Sequence, residues 1–255
     1  MNTPSTVLRA LLATIDAGQA AVVASVVATN RSVPRHVGAK MLVPADGPPL
    51  GSVGGGEMET RVVAEARAML AYGGDEVRTI TYGLVDPARG DPGVCGGEVT
   101  ISLELFMPSP TVYVVGCGHV GRAVVELAHW MGFRVVATDD RPEIEIPAVA
   151  EVAITGTIHD ALARAPVTAE THLVVVTRNV TVDLEILPVL LASPARSIGV
   201  MGSRRRWETT RAELTARGVE GLDRVRTPIG IELQAETPEE IAVSIMAEIV
   251  ALRRG

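Results

Sequence analysis

The chain has 255 residues, 47% hydrophobic and 21% charged, enough to bury at least one substantial core and too apolar for disorder. A formal net charge of −7 and 3% aromatic residues speak against a broad nucleic-acid surface, which needs cations and rings for stacking. No apolar run reaches the roughly 18 to 20 residues of a membrane span. The N-terminal MNTPSTVLRA has no leader pattern, and two cysteines, Cys95 and Cys117, suit a reducing compartment, so a cytoplasmic protein is expected.

In chain order, Ser5 is placed to cap a first helix, with Val7, Leu8, Leu11, Leu12 and Ile15 at helical spacing and Gly18 as its stop. Residues 20–28 read as a buried strand, and 39–43 and 50–53 as two strands around the turn-rich PADGPP. Gly54-Gly55-Gly56 opens a helix from about Glu57 to Tyr72. Strands near 76–82 and 98–106 bracket a glycine- and proline-rich loop, and MPSP at 107–110 is a hinge that divides the chain into domains 1–108 and 109–255. Beyond it, strands near 111–115, 133–138, 151–154, 172–176 and 197–201 alternate with helices near 119–131, 157–164, 181–192, 203–217 and 238–252. That alternation is the signature of a parallel sheet, so the fold class is α/β, an α+β domain followed by a Rossmann-like one. The last helix opens on a capping box, Thr237 with Pro238 and Glu240.

Four segments carry chemistry. The strand TVYVV runs into Gly116-Cys117-Gly118-His119-Val120-Gly121, where glycines permit a tight turn and close approach of a pyrophosphate to helix amides. Asp139 ends the next strand, 18 residues beyond Gly121, where a carboxylate can accept from ribose hydroxyls. Nearby Arg141 leaves NAD and NADP both open; Cys117 and His119 read as contact or packing residues, since two such side chains do not make a zinc site. Gly202-Ser203-Arg204-Arg205-Arg206 is a second anion-type element: Ser203 is an N-cap, and three arginines oppose the helix dipole, which is unfavourable unless an anion or acidic side chain lies near, so a phosphate clamp and a solvated basic turn both stay open.

The other two lie in the first domain. The chain has one lysine, Lys40, against 22 arginines, either a chance survivor of an arginine bias or a compact charge kept for its chemistry. Arg35, Gly38 and Lys40 precede Gly54–Gly56, whose backbone could form an anion nest. Gly93-Val94-Cys95-Gly96-Gly97 sets a cysteine among flexible glycines, as a small residue in a bend, a soft metal ligand or a sulfur carrier.

SVPRHVGAKMLV, GSVGGGEME, GVCGGEVTISLEL, VYVVGCGHVGRAVVELA, TDDRPE, GVMGSRRRW and TPIGIELQAETPEEIAVSIMAEIVA, in that order, resemble the XdhC/CoxI family of accessory proteins for xanthine dehydrogenase and related molybdenum hydroxylases. The resemblance covers nearly the whole chain. It implies binding of molybdenum cofactor (molybdopterin), support of its sulfuration with a cysteine desulfurase, and delivery to a molybdenum hydroxylase apo-enzyme. With the apolar stripes, it also implies a homodimer. Carried over by motif, Arg35, Gly38, Lys40, Gly54, Gly55, Gly56 and Cys95 fall in the cofactor-handling segments, with Cys95 as the thiol candidate for the metal. Gly116, Gly118, His119, Gly121 and Asp139, with Ser203 and Arg204, fall in the Rossmann domain's candidate nucleotide site. Many relatives carry a cysteine where this chain has Glu57, which removes a thiolate from that loop. The rival expectations are an NAD(P)-dependent oxidoreductase, for which only His119, His159 and His172 are at hand, and a nucleotide-sensing regulator.

Overall fold

The computed structural model describes residues 3–31, 33–72, 77–83 and 97–254. The chain divides into two compact units, Met1–Pro108 and Ser109–Gly255. The expected α/β class holds.

The first unit is an antiparallel sheet with one helix on each face. α1 (Pro4–Asp16) leads into β1 (Ala21–Asn30), β2 (Lys40–Pro44), β3 (Leu50–Gly51), α2 (Gly56–Tyr72), β4 (Val77–Gly83) and β5 (Glu98–Phe106). Strand order is β3-β2-β1-β5-β4. Alternate residues of β1 go to opposite faces: Ala21 and Val23 pack with Val7 and Leu11 of α1, while Val22, Ala24 and Val26 pack with Met58 and Val62 of α2. Being buried on both faces gives the first half of β1 a near-continuous apolar run, broken only at Ser25, instead of an alternating one. The cap of α1 is Thr3, not Ser5: its side chain accepts from the Thr6 amide and Pro4 takes the first helical turn, where no N–H is needed.

The second unit is a parallel sheet. β6 (Thr111–Val115), α3 (His119–Trp130), β7 (Arg134–Asp139), β8 (Val152–Thr155), α4 (Ile158–Arg164), β9 (Thr171–Val175), α5 (Val180–Leu191), β10 (Ser197–Val200), α6 (Arg204–Ala216), β11 (Val225–Arg226) and α7 (Pro238–Arg254) follow in order. The sheet order is β11-β10-β9-β6-β7-β8, the doubly wound arrangement in which the chain reverses between its first and fourth strands. Tyr113 and Val115 face one layer of helices and Val112 and Val114 the other. β11, which completes the six strands, is the element sequence reading missed, because two residues carry no periodicity. The capping box of α7 is present: Thr237 accepts from the Glu240 amide at 3.2 Å, and Glu240 accepts from the Thr237 amide at 3.1 Å.

Candidate functional site

In the first unit the β2–β3 pairing brings the lysine and glycine segments together. Lys40 sits opposite Ser25 on β1, and its ammonium donates to the Ser25 hydroxyl at 2.7 Å. The Ser52 amide donates to the Lys40 carbonyl at 3.1 Å, and a Cβ on Gly51 would stand 2.4 Å from that same carbonyl, so only glycine lets the two backbones meet. Arg35, Lys40, Ser52 and Thr3 line one open groove of about 370 Å³. Among the described residues neither Arg35 nor Lys40 has a carboxylate partner.

The glycine run beside this groove forms an anion nest, and the chain fills it. One oxygen of Glu59 accepts from the amides of Val53 (3.0 Å), Gly54 (3.3 Å) and Gly55 (2.9 Å), and from the Ser52 hydroxyl. Burial works against the charge of Glu59, but the Ser52 hydroxyl and these amides outweigh it and hold its carboxyl below the ordinary value. Gly54, Gly55 and Gly56 all have positive φ, which the nest's curvature requires. The amides of Gly54 and Gly55 are therefore not bare. Sequence reasoning missed Glu59, although an acidic residue in the first turn of a helix, able to reach back to its start, is a recognisable pattern. Gly38 lies in the turn before β2, its amide bonded to the Val26 carbonyl. Glu57 is exposed, and Cys95 lies outside the described residues.

In the second unit the glycine loop sits at the strand-order reversal, at the C-terminal ends of β6 and β9. Its glycines divide by what demands them. A Cβ on Gly116 would meet the Val176 carbonyl oxygen at 2.7 Å, and one on Gly121 would meet the Gly116 oxygen at 1.9 Å. Gly118 is different: its φ of −67° suits any residue, and a Cβ there would find only the Arg141 guanidinium, 4.0 Å away. The chain needs Gly116 and Gly121 for its own packing, whereas Gly118 keeps space open above the helix. No side chain caps the first turn of α3, and His119 there is exposed.

Asp139 is 2% exposed, and its partners differ from those expected. Oδ2 accepts from the Cys117 amide (2.7 Å) and Arg141 Nη2 (2.9 Å), and Oδ1 from the Arg141 amide (3.0 Å) and Nε (2.9 Å). Burial opposes its charge, but the Arg141 guanidinium and the two amides prevail and hold the carboxyl below the ordinary value. These four bonds fill the acceptor capacity of a carboxylate, so in this arrangement Asp139 braces the glycine loop instead of facing a ribose. Cys117 is buried; its thiol is pushed up to about 12 by burial and by Asp139, so it is not a ready thiolate.

Two of the arginines at the α6 start, Arg204 and Arg206, go to different places. Ser203 caps the helix by accepting from the Arg206 amide at 3.2 Å. The Arg206 guanidinium binds Asp183, which is 1% exposed, and the Thr177 carbonyl, fixing the loop after β9. The acidic side chain that three arginines called for is thus Asp183, one helix away. Arg204 lines a separate open groove with Met201, Pro228 and Ile231. His172 is buried at the start of β9, the opposite end of that strand from the glycine loop, and His159 is exposed.

Comparison with known proteins fits this architecture. The profile of the XdhC Rossmann domain matches residues 112–249, and that of the XdhC and CoxI family matches residues 14–83. The chain belongs to the XdhC/CoxI family. Its relatives include Escherichia coli YqeB, 30% identical over 91% of this chain and 43% of that protein. A Bacillus subtilis protein named as a probable xanthine dehydrogenase component is 31% identical over 60% of this chain and 46% of that one. The molybdenum cofactor insertion chaperone PaoD of Escherichia coli is 26% identical over 97% of this chain and 88% of its own length. The chain thus spans less than half the length of the first two. A crystal structure described as a xanthine dehydrogenase from Bacillus halodurans shares the fold, with a TM-score of 0.52 at 22% identity, covering 99% of this chain and 96% of that one. Among the described residues of this XdhC-family protein, no helix is long and apolar enough to cross a membrane, and no three His, Cys, Asp or Glu side chains cluster as a metal site.

Proposed function

We propose that this protein is a molybdenum-cofactor chaperone: it binds the cofactor, supports its sulfuration by a cysteine desulfurase and hands it to a xanthine dehydrogenase-type apo-enzyme in the cytoplasm, working as a homodimer. The observation that carries this reading is the groove of the first unit, where Arg35 and the single lysine, Lys40, present two cations without carboxylate partners among the described residues. A pterin phosphate fits such a donor set, and Arg35, Lys40 and Ser52 would hold it. Family membership and the name of the relative PaoD support the same reading. When bound, the cofactor carries the molybdenum–dithiolene redox centre that the receiving enzyme uses. Cys95 is the proposed soft ligand or sulfur carrier.

Mass spectrometry of ligands released from freshly purified protein tests the proposal. Pterin is expected from the native chain, and Lys40→Ala should lower its retention about tenfold, the loss of one charge-assisted hydrogen bond. A native protein that never retains pterin, with hydroxylases maturing normally in its absence, would overturn it.

A second ligand, NAD or NADP, is proposed for the second unit. It is favoured by the open Gly118 and the uncapped α3 at the strand-order reversal. Hydride-transfer turnover has little support, because His119, His159 and His172 are scattered and form no acid–base pair. NADH or NADPH consumption by the purified protein would reverse that preference.

A further inference from the structure

At the C-terminal edge of the second unit's sheet, the donors and acceptors around the candidate ribose position are unequal. Asp139 has no acceptor position left. Arg141 gives it Nε and one N–H of Nη2, leaving three of the five guanidinium N–H groups for another partner, on a side chain 30% exposed. Arg178, from the loop after β9, reaches Asp140 at the end of β7 through two bonds of 2.6 and 2.7 Å. Both side chains of that pair are more than 40% exposed, so the fork is open to solvent and a phosphate, which offers the same bidentate geometry with more charge, can compete with Asp140 for Arg178.

A ribose diol is best read by a carboxylate with lone pairs to offer. A phosphate only accepts, and it matches guanidinium forks. We propose that this site selects a nucleotide carrying a phosphate on its adenosine ribose, an NADP-type ligand, over one with a free diol. The inference rests on the nucleotide reading above and adds to it the class of nucleotide.

A second observation points to a ligand at the same place. Thr138, 2% exposed, lines the pocket shared by Arg141, Arg178 and Asp140, and its hydroxyl has no partner among the described residues. A buried hydroxyl left unpaired is costly and is relieved when a bound polar group enters. The pocket is a small cavity of about 30 Å³, roomy enough for water and too small for a base. Arg178 and Asp140 both line it, together with Gly116, Gly156 and Ile186. Exchange of Asp140 for a ligand phosphate on Arg178 would seat the phosphate and release the loop after β9 from the end of β7.

Calorimetry on the full chain with 2′,5′-ADP against 5′-ADP, and NADP⁺ against NAD⁺, tests this. The 2′-phosphorylated member of each pair should bind at least tenfold more tightly, and Arg178→Ala should erase the difference without loss of folding. Arg141→Ala, which returns acceptor positions to Asp139, should turn the preference toward the diol. Equal or tighter binding of 5′-ADP and NAD⁺ overturns the inference and leaves the nucleotide reading standing. No binding of any of the four at millimolar concentration overturns both. Thr138→Val should raise the melting temperature and weaken every nucleotide; unchanged affinity would remove this pocket from the site.

Discussion

Two glycine loops, one in each unit, solve the same electrostatic problem in different ways. Both end a strand, open a helix and gather backbone N–H groups that favour an anion. The loop at Gly54–Gly56 holds its own anion, the Glu59 carboxylate, on three amides. The loop at Gly116–Gly121 gives one amide to Asp139 and keeps the start of α3 free. A glycine-rich turn before a helix thus identifies an anion nest, but not whose anion it is. In the first unit the free cations lie beside the nest, on Arg35 and Lys40, and the candidate site moves there.

The largest expected effect breaks the second loop. Gly121→Ala puts a methyl against the Gly116 carbonyl, and unfolding of that unit should become easier by about 3 kcal/mol or more. Both tryptophans, Trp130 and Trp207, belong to the second unit, so tryptophan fluorescence in a urea titration reads it alone.

Acid separates the units next. His172 is buried neutral, its pKa pushed down to about 4 by burial and by Arg196 and Arg253. A histidine whose folded pKa lies below its unfolded value of 6.5 contributes stability above pH 6.5 and loses it as pH falls toward 4. The loss reaches about 3 kcal/mol near the lower end. Tryptophan-detected stability should therefore decline across that window, and His172→Gln should flatten the decline. Glu59 and Asp139, both held below their ordinary values, keep their contributions until pH falls through the carboxylate range. A flat native profile between pH 6.5 and 4 would contradict the burial of a neutral imidazole.

A smaller effect tests the self-filled nest. Glu59→Ala should destabilise the first unit by about 1 kcal/mol, the scale of a lost helix cap. Added inorganic phosphate should restore part of that loss in the variant while leaving the native protein unchanged. Phosphate raising the native melting temperature equally would mean that the nest is already open to outside anions.

The smallest expected change in stability is at Gly118. Gly118→Ala has an ordinary φ and no close neighbour, so stability should stay within about 0.5 kcal/mol, while any nucleotide affinity should fall sharply. Retained affinity would mean that the space above Gly118 is not where a phosphate approaches.

What the sequence determined by itself is what local spacing encodes. The βα alternation after residue 110, the capping box at Thr237 and the glycine loop before α3 all follow from periodicity and backbone chemistry within one or two turns of chain. The ordered motifs likewise pointed to the XdhC/CoxI family. Only the tertiary structure decided the partners of the charged side chains. Asp139 stands where the spacing put it, yet Arg141 and the Cys117 amide fill it. Arg206 separates from Arg204 because Asp183, 23 positions away, is carried to it by the packing of α5 against α6. β11 forms only because β10 offers a parallel edge, and Glu59 finds its nest only once β2 and β3 turn Ser52 toward α2. Local patterns fix which groups need a partner; the partner is chosen by distances that only the folded chain sets.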